Sequence, residues 1–512
     1  MTDTNKVIVN TLSQNLRTIL NILISLYTTR LVLKAIGEES YGIFMLIAGI
    51  TSFLGYITNS MIITTQRHLS FSFGQDDAPR AKTIFQNSCI LHIVLGGIFV
   101  VTFVTLAPIL FDMHFLNIKE HMLAEAKNVY YMVTLSVFFT FLTAPYRAAF
   151  TAHENIIYIS IIDVFDGLIK LSLISLLFII ENNRLTVYAG IISFVMLINY
   201  LALAIYGKSK YPEMCIIPSL KCYSYGVMKD LVSFATFTLY GTVCIFVRSQ
   251  GIAVVLNKIF NITVNAAYGI ANQVFGSVQF LSQAILNAIS PQIIKSEGAG
   301  NRKRMLYLSE QACKYCFLSL ACFSIPLIFE MENVLSIWLG TTPKYSAFFC
   351  KLFLIAALCD QLTIGFNVAK QALGDIKTYT VVIYSIKILT LPVIWILLLL
   401  GIDLRISMSA FVALELVAAL CRIPFMAKAA NITIGSYSHN VLFKILPPLF
   451  SLLACGFIMN TTPFFSYRFV LSEALGIIIG GLTTWVFCLS KEEKKHVKNN
   501  IIGKAVFYIG KK

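Results

Sequence analysis

The sequence predicts an all-α polytopic membrane protein, on three observations. Hydrophobic residues make up 57% of the 512 and charged residues 13%, with a mean hydropathy of +0.77, which lies outside the range of a soluble globular domain. The apolar stretches recur at the length needed to cross a hydrocarbon core of about 30 Å, roughly 20 residues each. The chain also repeats itself: Pro108-Ile109-Leu110-Phe111-Asp112-Met113 returns 218 residues later as Pro326-Leu327-Ile328-Phe329-Glu330-Met331.

About 14 transmembrane helices are predicted, near 9–33, 41–65, 85–111, 123–147, 156–181, 185–207, 227–257, 264–292, 306–330, 345–371, 376–400, 404–428, 441–460 and 468–489. Further matched pairs keep the same order: Tyr41-Gly42-Ile43 with Tyr268-Gly269-Ile270, Leu142-Thr143 with Leu362-Thr363, and Leu168-Ile169-Lys170-Leu171 with Ser385-Ile386-Lys387-Ile388. Their common spacing indicates duplicated halves, as in many transporters. Six spans per half is an even number, so the two halves form a parallel repeat related by an axis along the membrane normal. The expected organisation is an N-terminal six-helix bundle at 1–207, a cytoplasmic linker at 208–226, a C-terminal six-helix bundle at 227–430, helices 13 and 14 at 431–490, and a basic tail at 491–512. Pro108 and Pro326 fall at equivalent places in spans 3 and 9, where each removes one helical hydrogen bond and permits a packing kink.

Arg17 and Arg30 interrupt the first span and no small-residue cleavage site follows, so it is expected to stay in the mature protein. Lys and Arg sort by side: 24 fall in segments that are inner if the N-terminus is inside, and seven fall in the others. Both termini are therefore expected to be cytoplasmic. The net charge of +15 follows from this bias, and the tail lysines are expected to rest on anionic headgroups. The 12 cysteines have no pairing suited to an oxidising compartment and are expected to be free thiols. Cys313-x-x-Cys316 is a lone pair without nearby histidines and is read as packing, not zinc binding.

The short outer loops leave no room for an extracytoplasmic catalytic domain, and the chain has no P-loop, GxSxG or HExxH signature. No enzyme activity, cofactor, metal or nucleic-acid partner is expected. The chemistry lies in the intramembrane charges. Arg17, Arg30, Lys170, Arg248, Lys314, Lys351 and Lys387 are cations within spans, against Asp163, Asp166, Asp360 and Glu415. At roughly 3 kcal/mol each on an insertion scale, such charges must pair or line water. Asp163, Asp166 and Lys170 share one helix face, and Asp166 with Lys170 makes an i,i+4 pair. Lys170 and Lys387 correspond in the repeat. Arg17, Lys170, Arg248 and Lys387 are the expected substrate contacts, because a cation excess suits an anionic group and Arg presents a fork of donors to phosphate. Asp163, Asp360 and Glu415 are candidates for ion coupling or static counter-charges. Arg30, Lys351 and Lys314 are expected to snorkel to the surface. Tyr27, Tyr240 and Tyr268 are candidate sugar-stacking faces.

Asn10-Thr11-Leu12, Leu26-Tyr27-Thr28-Thr29-Arg30, Leu33-Lys34-Ala35-Ile36-Gly37 and Tyr41-Gly42-Ile43, then Thr64-Thr65-Gln66-Arg67, Phe73-Gly74-Gln75-Asp76 and Ala149-Phe150-Thr151-Ala152, resemble the Wzx-type polysaccharide flippases. These belong to the multidrug/oligosaccharidyl-lipid/polysaccharide exporter superfamily. The resemblance implies two six-helix bundles around a cation-lined cavity with two peripheral helices, in a bacterial cytoplasmic (inner) membrane. It implies movement of an undecaprenyl-pyrophosphate-linked oligosaccharide from the inner to the outer leaflet, for O-antigen (lipopolysaccharide), capsule or exopolysaccharide. Glycan polymerases or glycosyltransferases are the partners it implies. A multidrug or metabolite antiporter of the same superfamily would be expected to have twelve spans and an acid-dominated cavity. A membrane-embedded glycan polymerase or ligase would need larger outer loops and an acidic or histidine constellation. A major-facilitator transporter would carry a GxxxDRxGRR-like loop where this chain reads Gln66-Arg67-His68-Leu69-Ser70-Phe71-Ser72-Phe73-Gly74.

Overall fold

Lipid offers no hydrogen bonds, so every spanning segment must satisfy its backbone internally, and a helix does so within one segment. The computed structural model describes residues 3–111, 120–215, 222–260, 262–339, 342–430, 433–461, 468–489 and 494, and each predicted span lies on helix. In chain order these are α1 (Asp3–Gly74), α2 (Ala78–Phe111), α3 (Glu120–Ala152), α4 (Ile156–Ile174), α5 (Arg184–Lys210), α6 (Tyr225–Ile259), α7 (Ile262–Gly298), α8 (Arg302–Leu339), α9 (Ser346–Gln361), α10 (Ile364–Leu373), α11 (Lys377–Ile388), α12 (Thr390–Leu399), α13 (Leu404–Ala430), α14 (Ile434–Tyr437), α15 (Phe443–Thr461) and α16 (Arg468–Thr483). No strand occurs among the described residues. Asp112 of the repeated motif, the side chain of Arg30, and the basic tail apart from Lys494 lie outside the described residues.

The first two predicted spans are one helix, α1, turned at Gly37, whose φ of 81° and ψ of 166° break the helical geometry. Glycine takes a positive φ without the Cβ clash that other residues meet. Pro108 and Pro326 sit inside α2 and α8, which continue through them.

The chain forms two compact units. One comprises residues 9–242 with 294–300, the other residues 1–8, 243–293 and 301–512. In the first, α3 packs on α2 and α5, and α4 packs on α5. Its core holds Val32, Ile47, Phe111, Val129, Tyr130, Phe141, Leu177 and Val195. The tip of α7 belongs to this unit and crosses the end of α1 at two glycines: a Cβ on Gly74 would lie 2.1 Å from the Lys295 carbonyl, and one on Gly298 would lie 2.3 Å from that of Phe71. Lys295 Nζ reaches Glu154 Oε1 at 2.7 Å, and Asn10 Nδ2 donates to the Glu154 carbonyl at 2.8 Å. Beside them the His153 ring stacks on Tyr211 at 4.0 Å and meets Phe73 at 4.3 Å.

In the second unit α8 packs on α9, α10, α15 and α16, and α13 packs on α9, α11 and α12. Ile252, Leu256, Ala267, Leu320, Phe349, Leu354 and Met408 build its core. Two expectations are corrected here. Lys314 does not snorkel: it is 1% exposed and its Nζ donates to the Cys488 carbonyl at 3.0 Å, because α8 is buried along most of its length. Tyr268 is no stacking face, since it is buried with its hydroxyl on the Ser249 carbonyl at 3.2 Å. Lys351 reaches outward to the exposed Glu332 at 3.2 Å. Cys313 and Cys316 are buried free thiols.

Candidate functional site

In the first unit, α4 presents Asp163 and Asp166 one turn apart. Arg17 of α1 places Nη1 at 2.9 Å from Asp163 Oδ2. Arg147, in the last two turns of α3, places Nη2 at 2.6 Å from Asp163 Oδ1 and Nη1 at 3.2 Å from Oδ2. That is a bidentate fork, the strong and directional form of the pair. Arg147 Nη2 also donates to Asn199 Oδ1 of α5 at 3.2 Å. Lys170 holds Asp166 at 2.8 Å, the intrahelical pair that the spacing predicts. Arg17 and Asp163 border a cavity of about 420 Å³, with Thr18, Asn21, Ile22 and Ser25. The amide oxygens of Gln14 and Asn21, one face of α1, are buried without hydrogen-bond partners.

The second unit carries its charges at a break in a span. α9 ends at Gln361 and α10 begins at Ile364, bent by 43°. A break of this kind leaves carbonyls without helical partners. Arg422 Nη1 of α13 donates to the Asp360 carbonyl at 3.1 Å, and the Tyr437 hydroxyl donates to that of Leu362 at 2.7 Å. Thr363 Oγ1 donates to the Ala419 carbonyl at 2.9 Å. Arg422 Nη2 also meets Asp360 Oδ1 at 2.6 Å. Lys387 of α11 bridges both acids, 2.9 Å from Asp360 Oδ1 and bonded to Glu415 Oε1. Arg248 of α6 holds Glu415 Oε2 at 2.7 Å and lies 4.5 Å over the Phe411 ring.

The structure thus joins Arg17 with Asp163 in one unit, and Arg248, Lys387, Asp360 and Glu415 in the other. Lys170 stands one turn away from the Asp163 group, on Asp166. Two site residues escaped the sequence reading. Arg147 falls at the end of the predicted span and reads as a loop cation. Arg422 lies seven residues after Glu415, hence on the same face of α13, and that spacing was the available signal. Tyr27 is 55% exposed and Tyr240 36% exposed. Among the described residues no group of three or more His, Cys, Asp or Glu side chains suits a metal ion.

A model of the MatE family matches residues 15–176. No curated protein matches this chain. Solved structures do. One described as MATE in the bent conformation has a TM-score of 0.73 at 11% identity, covering 84% of this chain and 96% of its own. A superfamily transporter from Pyrococcus furiosus, described by the reverse polarity of its binding pocket, gives 0.71 at 11% identity, covering 84% and 97%. The MATE transporter ClbM in complex with Rb+ gives 0.66 at 17% identity, covering 84% and 95%. The fold of this chain is that of the MATE transporters.

Proposed function

We propose that this chain is a membrane transporter of the flippase kind, moving a lipid-linked oligosaccharide with a pyrophosphate bridge from the inner to the outer leaflet. The observation that carries the reading is the charge balance: in each unit three cations meet two acids, Arg17, Arg147 and Lys170 on Asp163 and Asp166, and Arg248, Lys387 and Arg422 on Asp360 and Glu415. Each cluster keeps one positive charge in excess, and a pyrophosphate is the complement to such an excess. A glycan headgroup cannot cross hydrocarbon unaided, because its hydroxyls lose hydrogen bonds and its phosphates their hydration. Amide and hydroxyl groups along α1, beside Arg17, suit a hydroxyl-rich headgroup while the polyprenyl tail stays in lipid. Arg17, Lys170, Arg248 and Lys387 are the proposed phosphate contacts, with Arg147 and Arg422 holding the acids between them. Asp163, Asp360 and Glu415 act first as counter-charges, and ion coupling at them is the further part of the proposal.

A multidrug antiporter on the same fold is the second reading, favoured by a neighbour described as a multidrug resistance MATE family transporter, with a TM-score of 0.71. The Pyrococcus furiosus neighbour's reverse pocket polarity is said to suggest a different function, which parallels the cation excess here. An Arg17→Ala, Lys170→Ala double variant, confined to the more open cluster, separates the readings. We expect it to insert normally, to lose surface glycan and to accumulate the lipid-linked intermediate. Full glycan export by that variant, or efflux of a lipophilic cation that depends on Asp163 and Asp360, would overturn the flippase reading.

A further inference from the structure

The buried and half-buried acids described within the spans are partnered, with one exception. Asp163, Asp166, Asp360 and Glu415 have the partners given above, Glu330 takes Arg468 Nε at 2.7 Å and Asn333 Nδ2 at 3.2 Å, and Glu310 accepts from Asn440 Nδ2 at 2.9 Å. Glu473 of α16 is the exception: its Oε2 is buried and has no hydrogen-bond partner. The residue as a whole is half-buried, and a carboxylate oxygen shut away without a donor carries a cost that protonation relieves.

The seam it faces has a matching defect. Pro326 has no N–H, so the carbonyl one turn back in α8, that of Cys322, lacks its helical donor. That carbonyl lies 3.2 Å from the Cβ position of Gly476, whose Cβ would also stand 2.4 Å from Pro326 Cγ. Glu473 is one turn before Gly476 on the same face. The order along the seam is antiparallel: Gly480 meets Cys322, Gly476 meets Pro326, and Arg468 meets Glu330. Glu473 therefore stands between Gly476 and the Arg468 pair.

The titratable groups facing it are few. α8 offers the neutral Cys322 thiol, and Glu330 is already held by Arg468. From α15 come Cys455 and Lys444, the latter at the far end beside Cys488, whose Sγ donates to the Lys444 carbonyl at 2.9 Å. The turn after α16 adds Cys488 itself, with Lys314 on its carbonyl. No cation of this set bonds to Glu473.

We propose that Glu473 is a proton-binding site, a carboxyl kept neutral at the seam between α8 and α16, with its O–H serving the Cys322 carbonyl that Pro326 leaves without a donor. One bound proton thereby satisfies two polar groups that would otherwise be buried unmatched. The site is independent of the transported molecule and stands whether or not the flippase reading does.

The test uses the purified full-length chain in lipid nanodiscs. Infrared difference spectroscopy at neutral pH should show a protonated-carboxyl C=O band in wild type that is missing from Glu473→Gln and fades in wild type as the pH is made alkaline. Dicyclohexylcarbodiimide, which adds to protonated carboxyls without a leaving group, should mark Glu473 and spare Asp360 and Glu415. Glu473→Gln, whose amide N–H can serve the same carbonyl, should keep the wild-type thermal midpoint, whereas Glu473→Ala should lower it. Identical carboxyl bands in wild type and Glu473→Gln would overturn the proposal, whatever the reagent reaches. So would a midpoint for Glu473→Gln as low as that of Glu473→Ala, since it would mean that the charge is needed.

Discussion

The two charge clusters have the same stoichiometry and differ in accessibility. In the second unit Glu415, Lys387 and Arg422 expose 5%, 6% and 3% of their side chains and Asp360 16%, and the cluster also ties down the carbonyls of a broken helix. In the first, Arg17, Arg147 and Asp163 expose 21%, 24% and 18%, and Arg17 and Asp163 border a cavity. Burial decides what the ions do. A sealed network holds its own helices in register, because removing one member strands a charge in low dielectric. An open network exchanges a partner for a ligand at small cost, because water screens the change.

The largest effect that follows is on stability. Glu415→Gln leaves Arg248 and Lys387 short of an anion and should destabilise the detergent-solubilised protein by about 3–5 kcal/mol, the usual cost of breaking a buried pair. Asp163→Asn should cost about 1–2 kcal/mol after allowance for its exposure. Equal losses of thermal midpoint for the two variants would break the contrast between the clusters. A smaller effect sharpens it from the ligand side. Arg17→Lys keeps the charge and loses the fork, so it should lower glycan export several-fold and leave the thermal midpoint near wild type. A loss of midpoint as large as that of Glu415→Gln would show that the open cluster carries as much of the fold as the sealed one.

The spans were legible in the sequence because lipid allows a segment of that length little besides a helix, and the pair of Asp166 and Lys170 was legible because four residues of helix fix it. The partners of Asp163 were not, since Arg17 lies 146 residues away in the chain and only the packing of α1 and α3 on α4 brings the three together. Arg147 misread as a loop residue because hydropathy fades before helix does: α3 runs on to Ala152. Lys314 misread as a snorkelling cation because its neighbours in sequence do not reveal that α15 and α16 cover it. Arg422 needed the break at Asp360 to have a purpose, and a break without Pro or Gly leaves no mark in composition.

The junction of His153 with Phe73 and Tyr211 makes the end of α3 sensitive to acid. The ring's Nε2 is buried without a partner, and burial, aided by the nearby Lys295 ammonium, pushes the imidazole down to about 4 from its ordinary 6.5. An unfolded chain takes up that proton near 6.5 while the folded one refuses it, so folding gains nothing from pH above that value and loses stability as pH falls from about 6.5 towards 4. His153→Phe, which keeps the ring stack and removes the titration, should flatten the thermal midpoint across that window. An unchanged acid profile in the variant would place the sensitivity elsewhere.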